Sequence, residues 1–405
     1  MNRRRFMMGA SLACSSALAR RSFSVPPPHS DLQARVRAQL HLGVEKGLTV
    51  GAVTMVVQNG QVKVLDAAGY ADRESKRPMN VDAIFDIRSI SKPITVLGAL
   101  LLVQDKKLSL DDSLSTILPE FSDLKVAGLN AGEKPQPSRS VITLRQLMTH
   151  TSGIAAQRPA EIENITRTFD HTLAEAVALV AKQPLDFVPG TGWAYSSSGI
   201  AVLGRVIEVV SAQPFEQFMA NRLFEPLQMR DTSFFPDPSK LNRIPTMYNL
   251  ENGHLVKDVM DVTRPNQKYS APDFGLFSTA EDLRHLAQMM LNRGKWGGRP
   301  ILSAALIDQA TRPWVQTAVP KYHAGLGWAV HTGNEPDMSF AVTDLSYGAN
   351  GASSGILWID PAIQLIRIYL THYFGDGEFA DGNPVMNAAF PRQLVNQHHV
   401  HAPRG

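Results

Sequence analysis

The strongest constraint on the fold comes from residues 85–103, where a short strand pattern is followed at once by a long apolar run. Residues 85–87 predict a strand, and residues 94–103 predict a buried helix. Ser89 and Lys92 lie at the junction. At the start of a helix, two residues with this spacing share one face, with their Cβ atoms about 5–6 Å apart. The stretch therefore predicts a serine and a lysine side by side where a buried helix begins.

This placement gives Ser89 the surroundings of a nucleophile. A helix N-terminus carries partial positive charge, which favours an alkoxide on the serine and the uncharged form of Lys92. Burial favours the uncharged lysine as well. Covalent catalysis requires a nucleophile with an adjacent base, so the sequence predicts Ser89 as the nucleophile and Lys92 as its base.

A second Ser-x-x-Lys sequence, from Ser122 to Lys125, shows that the spacing alone is a weak signal. It lies beside Pro119 in a polar loop, with no strand before it and no long apolar helix after it. A serine cap and a solvated lysine explain this second copy. The same explanation remains open for Ser89 and Lys92 until further motifs are considered.

Two other segments could complete a site. Tyr195 lies between a Pro-Gly turn and a predicted helix start, and near Lys92 its phenol could relay a proton. Residues 348–353 enter a predicted hairpin and could lend a backbone N–H to an oxyanion, paired with that of Ser89. The alternatives are a structural tyrosine and an ordinary Gly-rich turn. His150 could be a base, but its place after a helix in a Thr/Ser-Gly turn favours a structural role.

The N-terminus has the pattern of an export signal. Arg3-Arg4-Arg5-Phe6 precedes a short apolar segment and the small-residue sequence Ala17-Leu18-Ala19. Residues 1–19 therefore predict a twin-arginine-type signal peptide, and a disordered basic arm is the alternative. Residues 20–30 form a Pro-rich leader. We expect the mature protein to be periplasmic or secreted.

Composition restricts the partners. Cleavage after residue 19 would remove three arginines and leave 37 Lys and Arg against 37 Asp and Glu, so no nucleic-acid partner is expected. Cys14, the only cysteine, lies in the predicted signal, which excludes cysteine and zinc-thiolate chemistry from the mature chain. No apolar run reaches about 18 residues, so no membrane span is expected. The sequence does not specify the oligomeric state.

No metal or organic cofactor is expected either. His398, His399 and His401 could chelate a metal, but a solvated tail is the favoured interpretation of residues 398–405.

Strand patterns lie at both ends of the chain, with helical patterns between them. Asn59-Gly60 suits a tight hairpin turn between strands at 50–57 and 62–68. Strands are also predicted at 341–345, 356–359 and 365–371, and a closing helix at 383–396. The order predicts an α/β (α+β) fold, in which helices flank an antiparallel sheet built from both chain ends and a mainly helical lobe is inserted.

The predicted catalytic domain spans residues 31–397. Its sheet lobe covers about 31–115 and 295–397, and its helical lobe covers about 116–294.

Six motifs, in order and spacing, resemble those of the serine β-lactamase and penicillin-binding-protein superfamily. The closest resemblance is to its class C β-lactamase-like group, which includes family VIII carboxylesterases and D-alanyl-D-alanine carboxypeptidases. The resemblance implies a β-lactamase/transpeptidase-like fold. The motifs are SISK at 89–92, LMTHTSG at 147–153, PGTGWAYS at 189–196, FSTAEDL at 277–283, GLGW at 325–328 and WIDP at 358–361.

The resemblance also implies roles for individual residues. Ser89 would be the acylated nucleophile and Lys92 its base. Tyr195 would match the tyrosine of the family's Tyr-x-Asn motif and act in proton transfer. The backbone N–H groups of Ser89 and Ala352 would form the oxyanion hole.

The implied substrate-binding set departs from the family at two positions. Ser197 stands where β-lactamases have the asparagine of Tyr-x-Asn. Ala349-Asn350-Gly351 stands where the family has Lys-Thr-Gly or His-x-Gly, and the basic residue there helps to hold a substrate carboxylate. A charged hydrogen bond of that kind contributes about 1.5–3 kcal/mol, and alanine cannot supply it. Arg88 is a candidate replacement, and residues 271–275 are expected to reshape the pocket wall.

We therefore expect an exported serine hydrolase that works through an acyl-enzyme. A carboxylesterase acting on small or medium acyl esters fits best, since esters need only a nucleophile, a base and an oxyanion hole. The alternatives are a β-lactamase or D-alanyl-D-alanine carboxypeptidase acting on an amide, an acyltransferase, and a non-catalytic binding homologue.

Overall fold

The computed structural model of the protein describes residues 32–128, 133–258, 267–318, 322–333 and 342–374. Several sequence-based predictions lie outside the described residues: the signal at 1–19, the leader at 20–30, the closing helix at 383–396 and the histidine-containing tail at 398–405.

The secondary structure is numbered along the chain. The helices are α1 (Leu32–Glu45), α2 (Ser91–Gln104), α3 (Leu114–Ile117), α4 (Leu144–Met148), α5 (Ala160–Thr168), α6 (Leu173–Val180), α7 (Ser197–Ser211), α8 (Phe215–Met219), α9 (Ala280–Leu291) and α10 (Ala304–Ala310). The strands of the largest sheet are β1 (Gly51–Gln58), β2 (Gln61–Asp72), β3 (Arg77–Pro78), β12 (Val315–Gln316), β13 (Tyr322–Ala324), β14 (Ala329–His331), β15 (Tyr347–Asn350), β16 (Ile356–Asp360) and β17 (Leu365–Thr371).

Short strands outside that sheet are β4 (Phe85–Asp86), β5 (Lys125–Val126), β6 (Gln136–Pro137), β7 (Tyr248–Glu251), β8 (His254–Lys257), β9 (Phe277–Ser278), β10 (Lys295–Trp296), β11 (Arg299–Pro300) and β18 (Tyr373–Phe374). Residues 220–224 form a π-helical turn after α8. Single 3₁₀ turns lie at 88–90, 119–121, 238–243 and 361–363.

The nine-stranded sheet joins the two ends of the chain. Its spatial order is β12-β13-β14-β15-β16-β17-β1-β2-β3, and every pair in it is antiparallel. Strand β1 pairs with β17 from Ala52 opposite Thr371 to Gln58 opposite Leu365. The predicted fold class is therefore confirmed, including the sheet built from both chain ends.

The hairpin between β1 and β2 turns where the sequence predicted. Asn59 and Gly60 have φ angles of 50° and 73°, as a tight hairpin turn with two left-handed residues requires. Almost every residue of β1 and β17 is buried, because helices cover both faces of the sheet. Helix α1 lies against β2, and α9 lies against β1, β16 and β17. The lobe boundaries at 116 and 294 stay a prediction. Helix α9 belongs by residue number to the predicted helical lobe, yet it packs on the sheet.

Helix α2 is the buried centre of the molecule. All of its residues from Ser91 to Leu102 are buried, which agrees with the apolar run in the sequence. It packs against α7, α8 and α10. A helix that is enclosed on all sides holds its first turn firmly, and that turn follows Ser89 directly.

The strand predicted at 341–345 was wrong for the described residues 342–345, which form a turn. The carboxylate of Asp360 accepts hydrogen bonds from Thr343 N and Oγ1 at 3.0 and 2.5 Å, so this backbone N–H does not enter a ladder. Leu345 has a φ of 59°, which ends any extended run before β15. Within the described residues, no helix combines the length and the apolar character needed to cross a membrane.

Candidate active site

Ser89 and Lys92 are in direct contact at the start of α2. The chain leaves β4, makes a 3₁₀ turn over Arg88–Ile90 and enters α2 at Ser91. Lys92 Nζ lies 2.9 Å from Ser89 Oγ, and Lys92 is 1% exposed. Ser89 is half-buried and borders a cavity. A hydroxyl that is reachable by substrate and bonded to a buried amine has the geometry of an activated nucleophile.

Arg88 does not replace the missing basic residue of the pocket. Its Nε lies 3.1 Å from Asp86 Oδ2, and its guanidinium carbon lies 4.6 Å from the centre of the Phe374 ring. The side chain is buried and does not line the cavity. Arg88 also has a φ of 48°, in the left-handed region, and the contact with Asp86 helps to hold this backbone conformation just before Ser89.

Lys92 makes a second hydrogen bond, to the segment 271–275. Its Nζ donates to the backbone carbonyl of Asp273 at 2.9 Å. Thr95, one turn along α2, donates its hydroxyl to the carbonyl of Pro272 at 2.6 Å. The fully buried Asp273 carboxylate forms an ion pair with Arg158. Residues 271–275 are buried and do not line the cavity, so the expectation that they reshape the pocket wall is wrong. The segment instead contacts Lys92 Nζ through the carbonyl of Asp273.

Tyr195 lies on the other side of Lys92. Lys92 Nζ is 4.9 Å from the centre of the tyrosine ring, and Tyr195 is 46% exposed toward the cavity mouth. The imidazole of His150 stacks at an angle against the same ring, with 4.7 Å between centres. The serine, the lysine and the tyrosine named from the sequence thus meet around one cavity.

His150 is buried in its neutral form. Burial, together with the charge of Lys92, lowers the pKa of His150 to about 3, although the hydrogen bond from the backbone of Ser196 opposes the shift. Nδ1 accepts that bond from Ser196 N at 3.2 Å. The remaining ring proton is therefore on Nε2.

The end of β15 packs directly on the turn that carries Ser89. A Cβ on Gly351 would lie 2.4 Å from the carbonyl oxygen of Ile87, so only glycine fits there. Ser353 Oγ donates to the carbonyl of Asp86 at 2.8 Å. Ala349 and Asn350, the last residues of β15, line the cavity.

Two site predictions lie at the margin of this geometry. Ala352 is exposed in the turn after β15, and its assignment to the oxyanion hole stays a prediction. Ser197 is the first residue of α7, is half-buried and does not line the cavity, so its role in substrate binding also stays a prediction.

The cavity has a volume of about 390 Å³ and walls that are mainly small or aromatic. Among the described residues that line it, Lys92 is the only lysine or arginine, and Ser89 and Asp273 already bind its Nζ. The described lining residues are Ser89, Lys92, His150, Trp193, Tyr195, Thr317, Tyr322, His323, Ala324, Gly327, Trp328, Ala329, Gly348, Ala349, Asn350 and Trp358.

The second Ser-x-x-Lys copy lies away from this cavity and has ordinary contacts. Ser122 Oγ donates to the carbonyl of Pro119 at 2.7 Å. Lys125 Nζ lies 3.7 Å from Asp123 Oδ2, and its side chain is 54% exposed. The interpretation of this copy as a capping serine and a solvated lysine is confirmed.

Sequence reasoning missed the ion pair of Arg158 and Asp273. The two residues are 115 positions apart, and neither belongs to a recognisable motif. The composition of 271–275 differs from the glycine-rich segment that the resemblance implies, but it did not reveal the contact with Lys92.

Comparison with known proteins identifies the family. The family model described as "Beta-lactamase" matches residues 34–389. The chain belongs to the β-lactamase family. This confirms the predicted superfamily and the serine hydrolase class.

Individual β-lactamase-family relatives span nearly the whole chain. Protein Rv1367c of Mycobacterium tuberculosis is 32% identical over 356 residues, which are 82% of this chain and 88% of that protein. Esterase EstB of Burkholderia gladioli is 30% identical over 377 residues, covering 86% of this chain and 92% of EstB. The solved structure of EstCE1, a hydrolase with promiscuous acyltransferase activity, has a TM-score of 0.77 at 25% identity and covers 89% of this chain and 99% of its own.

Proposed function

We propose that the protein is a carboxylesterase that hydrolyses small or medium acyl esters through an acyl-enzyme on Ser89. The observation that carries the proposal is the 2.9 Å contact of Ser89 Oγ with Lys92 Nζ, placed at a mainly apolar cavity. A buried base in contact with a reachable hydroxyl is what acyl transfer requires. The apolar walls suit an uncharged acyl group.

Acylation uses the three residues around the cavity. Uncharged Lys92 takes the proton from Ser89 Oγ as the oxygen bonds to the ester carbonyl carbon. Backbone N–H groups of Ser89 and Ala352 stabilise the negative charge on the carbonyl oxygen. The bond to the leaving oxygen then breaks, Tyr195 donates its proton to this alkoxide, and Lys92 passes the proton taken from Ser89 to Tyr195, so that both groups regain their starting forms. The products are the alcohol and an acyl ester on Ser89.

Deacylation repeats the sequence with water. Uncharged Lys92 accepts one proton from water, with Tyr195 as the relay, as the water oxygen bonds to the acyl carbon. The bond from that carbon to Ser89 Oγ then breaks, and the proton returns to the serine. The acid is released and the free enzyme is restored.

The charge distribution favours esters over β-lactams. A β-lactam antibiotic or a D-alanyl-D-alanine peptide carries a carboxylate near the bond that breaks. Ala349 offers no cation to it, and Arg88 is bound to Asp86. Among the described lining residues Lys92 is the only lysine or arginine, and Ser89 and Asp273 already bind its Nζ. Leaving the carboxylate unpaired costs about 1.5–3 kcal/mol of binding.

The relatives support the same activity. EstB is named as an esterase, and EstCE1 is described as a hydrolase with promiscuous acyltransferase activity. The likeness to EstCE1 favours acyl transfer as a second candidate. An alcohol would then replace water in deacylation, and added methanol would yield a methyl ester alongside the acid.

The test of the esterase proposal compares p-nitrophenyl butyrate with nitrocefin, a chromogenic β-lactam. We expect ester turnover that disappears in Ser89→Ala and persists in Ser122→Ala, the serine of the second Ser-x-x-Lys copy. Nitrocefin should be hydrolysed far more slowly. Faster hydrolysis of nitrocefin than of the ester would overturn the substrate class.

A fluorophosphonate separates an enzyme from a binding homologue. It should label Ser89 in the wild-type protein and leave Ser89→Ala unlabelled. An unlabelled wild-type protein would show that the serine is not activated and that the fold has been retained for binding alone.

We also propose export by the twin-arginine route, from the sequence pattern at residues 1–19. Replacement of Arg3, Arg4 and Arg5 by lysine keeps the charge and removes the arginine pair. We expect the wild-type protein in the periplasm or medium and the lysine variant in the cytoplasm. Equal distribution of the two would contradict the proposal.

A further inference from the structure

We propose that His150 is a positioning residue that holds Tyr195 against Lys92. The proposal rests on the proposed function for the chemical role of Tyr195. The geometry that supports it is independent of any substrate.

His150 accepts hydrogen bonds from the two residues on either side of Tyr195. Ala194 N donates to the backbone carbonyl of His150 at 3.1 Å. Ser196 N donates to Nδ1 of the His150 ring at 3.2 Å. The tyrosine ring itself packs on the imidazole, with 4.7 Å between centres. One residue therefore fixes Tyr195 at its two neighbours and at its ring.

The backbone of His150 indicates that the side chain is needed. His150 follows the C-terminus of α4 with a φ of 59°, in the left-handed region. Glycine adopts this conformation freely, whereas most other residues are strained there by about 1–2 kcal/mol. A histidine at such a position implies that its side-chain contacts offset the strain.

Several backbone hydrogen bonds join the segment that contains His150 to the segment that contains Tyr195. The bond made by His150 is the one nearest to the site. Gly190 N donates to the carbonyl of Thr151 at 2.8 Å, and Asp186 N donates to that of Gly153 at 2.7 Å. The segments 150–153 and 186–196 are thus joined by three backbone hydrogen bonds. At His150 the ring Nδ1 adds a fourth bond, from Ser196 N. This arrangement brings the segments at 147–153 and 189–196 together beside the cavity.

The position of Tyr195 matters because its proposed task is proton transfer. Lys92 Nζ lies 4.9 Å from the centre of the tyrosine ring, so a small rotation of the ring would change the path of the proton. Displacement of a catalytic group by about 1 Å can lower the rate about a hundredfold.

Three variants at position 150 separate the hydrogen bond from backbone strain. His150→Asn keeps an acceptor near the position of Nδ1 and tolerates the left-handed conformation. His150→Gly relieves the strain and removes the acceptor. His150→Ala removes the acceptor and keeps the strain. A purely conformational role predicts that Gly is the best replacement, whereas the positioning role predicts Asn.

The kinetic readout is the dependence on the leaving group. An ethyl ester leaves as a strongly basic alkoxide that needs a proton, whereas p-nitrophenolate leaves without one. For esters of one acid, kcat/KM reports acylation without the shared deacylation step, and we expect His150→Gly to lower kcat/KM on the ethyl ester about a hundredfold and on the p-nitrophenyl ester by less than about tenfold. His150→Asn should recover most of the loss. An equal loss on both esters, or Asn no better than Gly, would overturn the proposal.

A second measurement needs no substrate. With 3-fluorotyrosine at position 195, the ¹⁹F resonance should shift and narrow in His150→Gly and stay near the wild-type position in His150→Asn. Thermal melting shows which variants are folded. If the wild-type protein hydrolyses neither ester, the proposed function fails and the ¹⁹F spectrum still decides the role of His150. An unchanged resonance in His150→Gly would refute the positioning role even in an active esterase.

Discussion

Lys92 combines two contacts in one atom, since its Nζ lies 2.9 Å from both Ser89 Oγ and the carbonyl of Asp273. The first contact brings the proposed base to the serine, and the second fixes where that amine lies. The pair of Ser89 and Lys92 was predictable because both residues lie within a single helical turn, where spacing determines distance. The contact with Asp273 was not, because it joins residues 181 positions apart.

Replacement of Lys92 tests the base. We expect Lys92→Met to lower kcat on p-nitrophenyl butyrate by at least about a hundredfold, because the serine loses its proton acceptor. The control is Lys125→Met in the second Ser-x-x-Lys copy, which should keep wild-type kinetics. Equal activity of the two variants in a stopped-flow assay would show that Lys92 is not the base.

Replacement of Ala349 tests the missing carboxylate partner. We expect Ala349→Lys to lower KM for nitrocefin about tenfold to a hundredfold, because a charged hydrogen bond contributes about 1.5–3 kcal/mol. Ala349→Met has similar bulk without charge and should leave KM unchanged or raise it. An equal effect of Lys and Met would mean that shape, rather than charge, limits β-lactam binding.

At the scale of elements, the site depends on segments that dock on the first turns of α2. Thr95 Oγ1 donates to the carbonyl of Pro272 at 2.6 Å, and Leu276 N donates to Ser91 Oγ at 3.2 Å. The ion pair of Arg158 and Asp273 anchors the same segment from the opposite side. The carbonyl of Asp273 therefore reaches Lys92 as part of a fixed surface.

Loss of Arg158 should disturb this surface. We expect Arg158→Met to lower the free energy of unfolding by about 3 kcal/mol, because the buried carboxylate of Asp273 loses its partner. We also expect kcat on the ester to fall while KM changes little, since Lys92 loses alignment. Arg158→Lys should restore part of both. Arg167→Met, at an exposed position of α5, is the control for urea unfolding. If Arg158→Met lowers the free energy of unfolding no more than Arg167→Met does, the role of the ion pair is contradicted.

Local elements were predictable from the sequence because their signals are local. Thr143 caps α4 with a capping box to Gln146, and Ser196 caps α7 by accepting from Gly199 N. The turn at 342–345 was missed because a distant carboxylate, that of Asp360, binds Thr343 N. The sequence thus predicts elements whose caps and turns lie within a few residues, and it fails where long-range side chains decide.

At the scale of the whole molecule, the packing of distant segments buries two histidines whose pKa values are strongly lowered. Burial lowers the pKa of His150 to about 3 and that of His372 to about 4. His372 lies at the end of β17, and its Nδ1 contacts the carbonyl of Thr246. The order of elements predicted the sheet, but which histidines it buries depends on the packing of distant segments.

These histidines should make the fold sensitive to acid. Below pH 6.5 the unfolded chain binds protons that the folded chain does not, so the free energy of unfolding falls as the pH falls toward 4 and 3. At about pH 5 each histidine should lower the free energy of unfolding by about 2 kcal/mol relative to its value at neutral pH. We expect urea unfolding to show a smaller fall in the free energy of unfolding between neutral pH and pH 5 for His372→Gln than for the wild-type protein. The exposed variant His254→Gln should show the same fall as the wild-type protein. Equal losses in all three proteins would contradict the burial of a neutral His372.

The most direct test of the central claim is to trap the acyl group. The protein is mixed with p-nitrophenyl butyrate, quenched in acid before steady state and digested, and its peptides are weighed by mass spectrometry. We expect one butyryl group on Ser89, present at early times, lost as substrate is exhausted and absent from Ser89→Ala. Continued ester turnover by Ser89→Ala, or a butyryl group on another residue, would show that catalysis does not pass through an ester of Ser89.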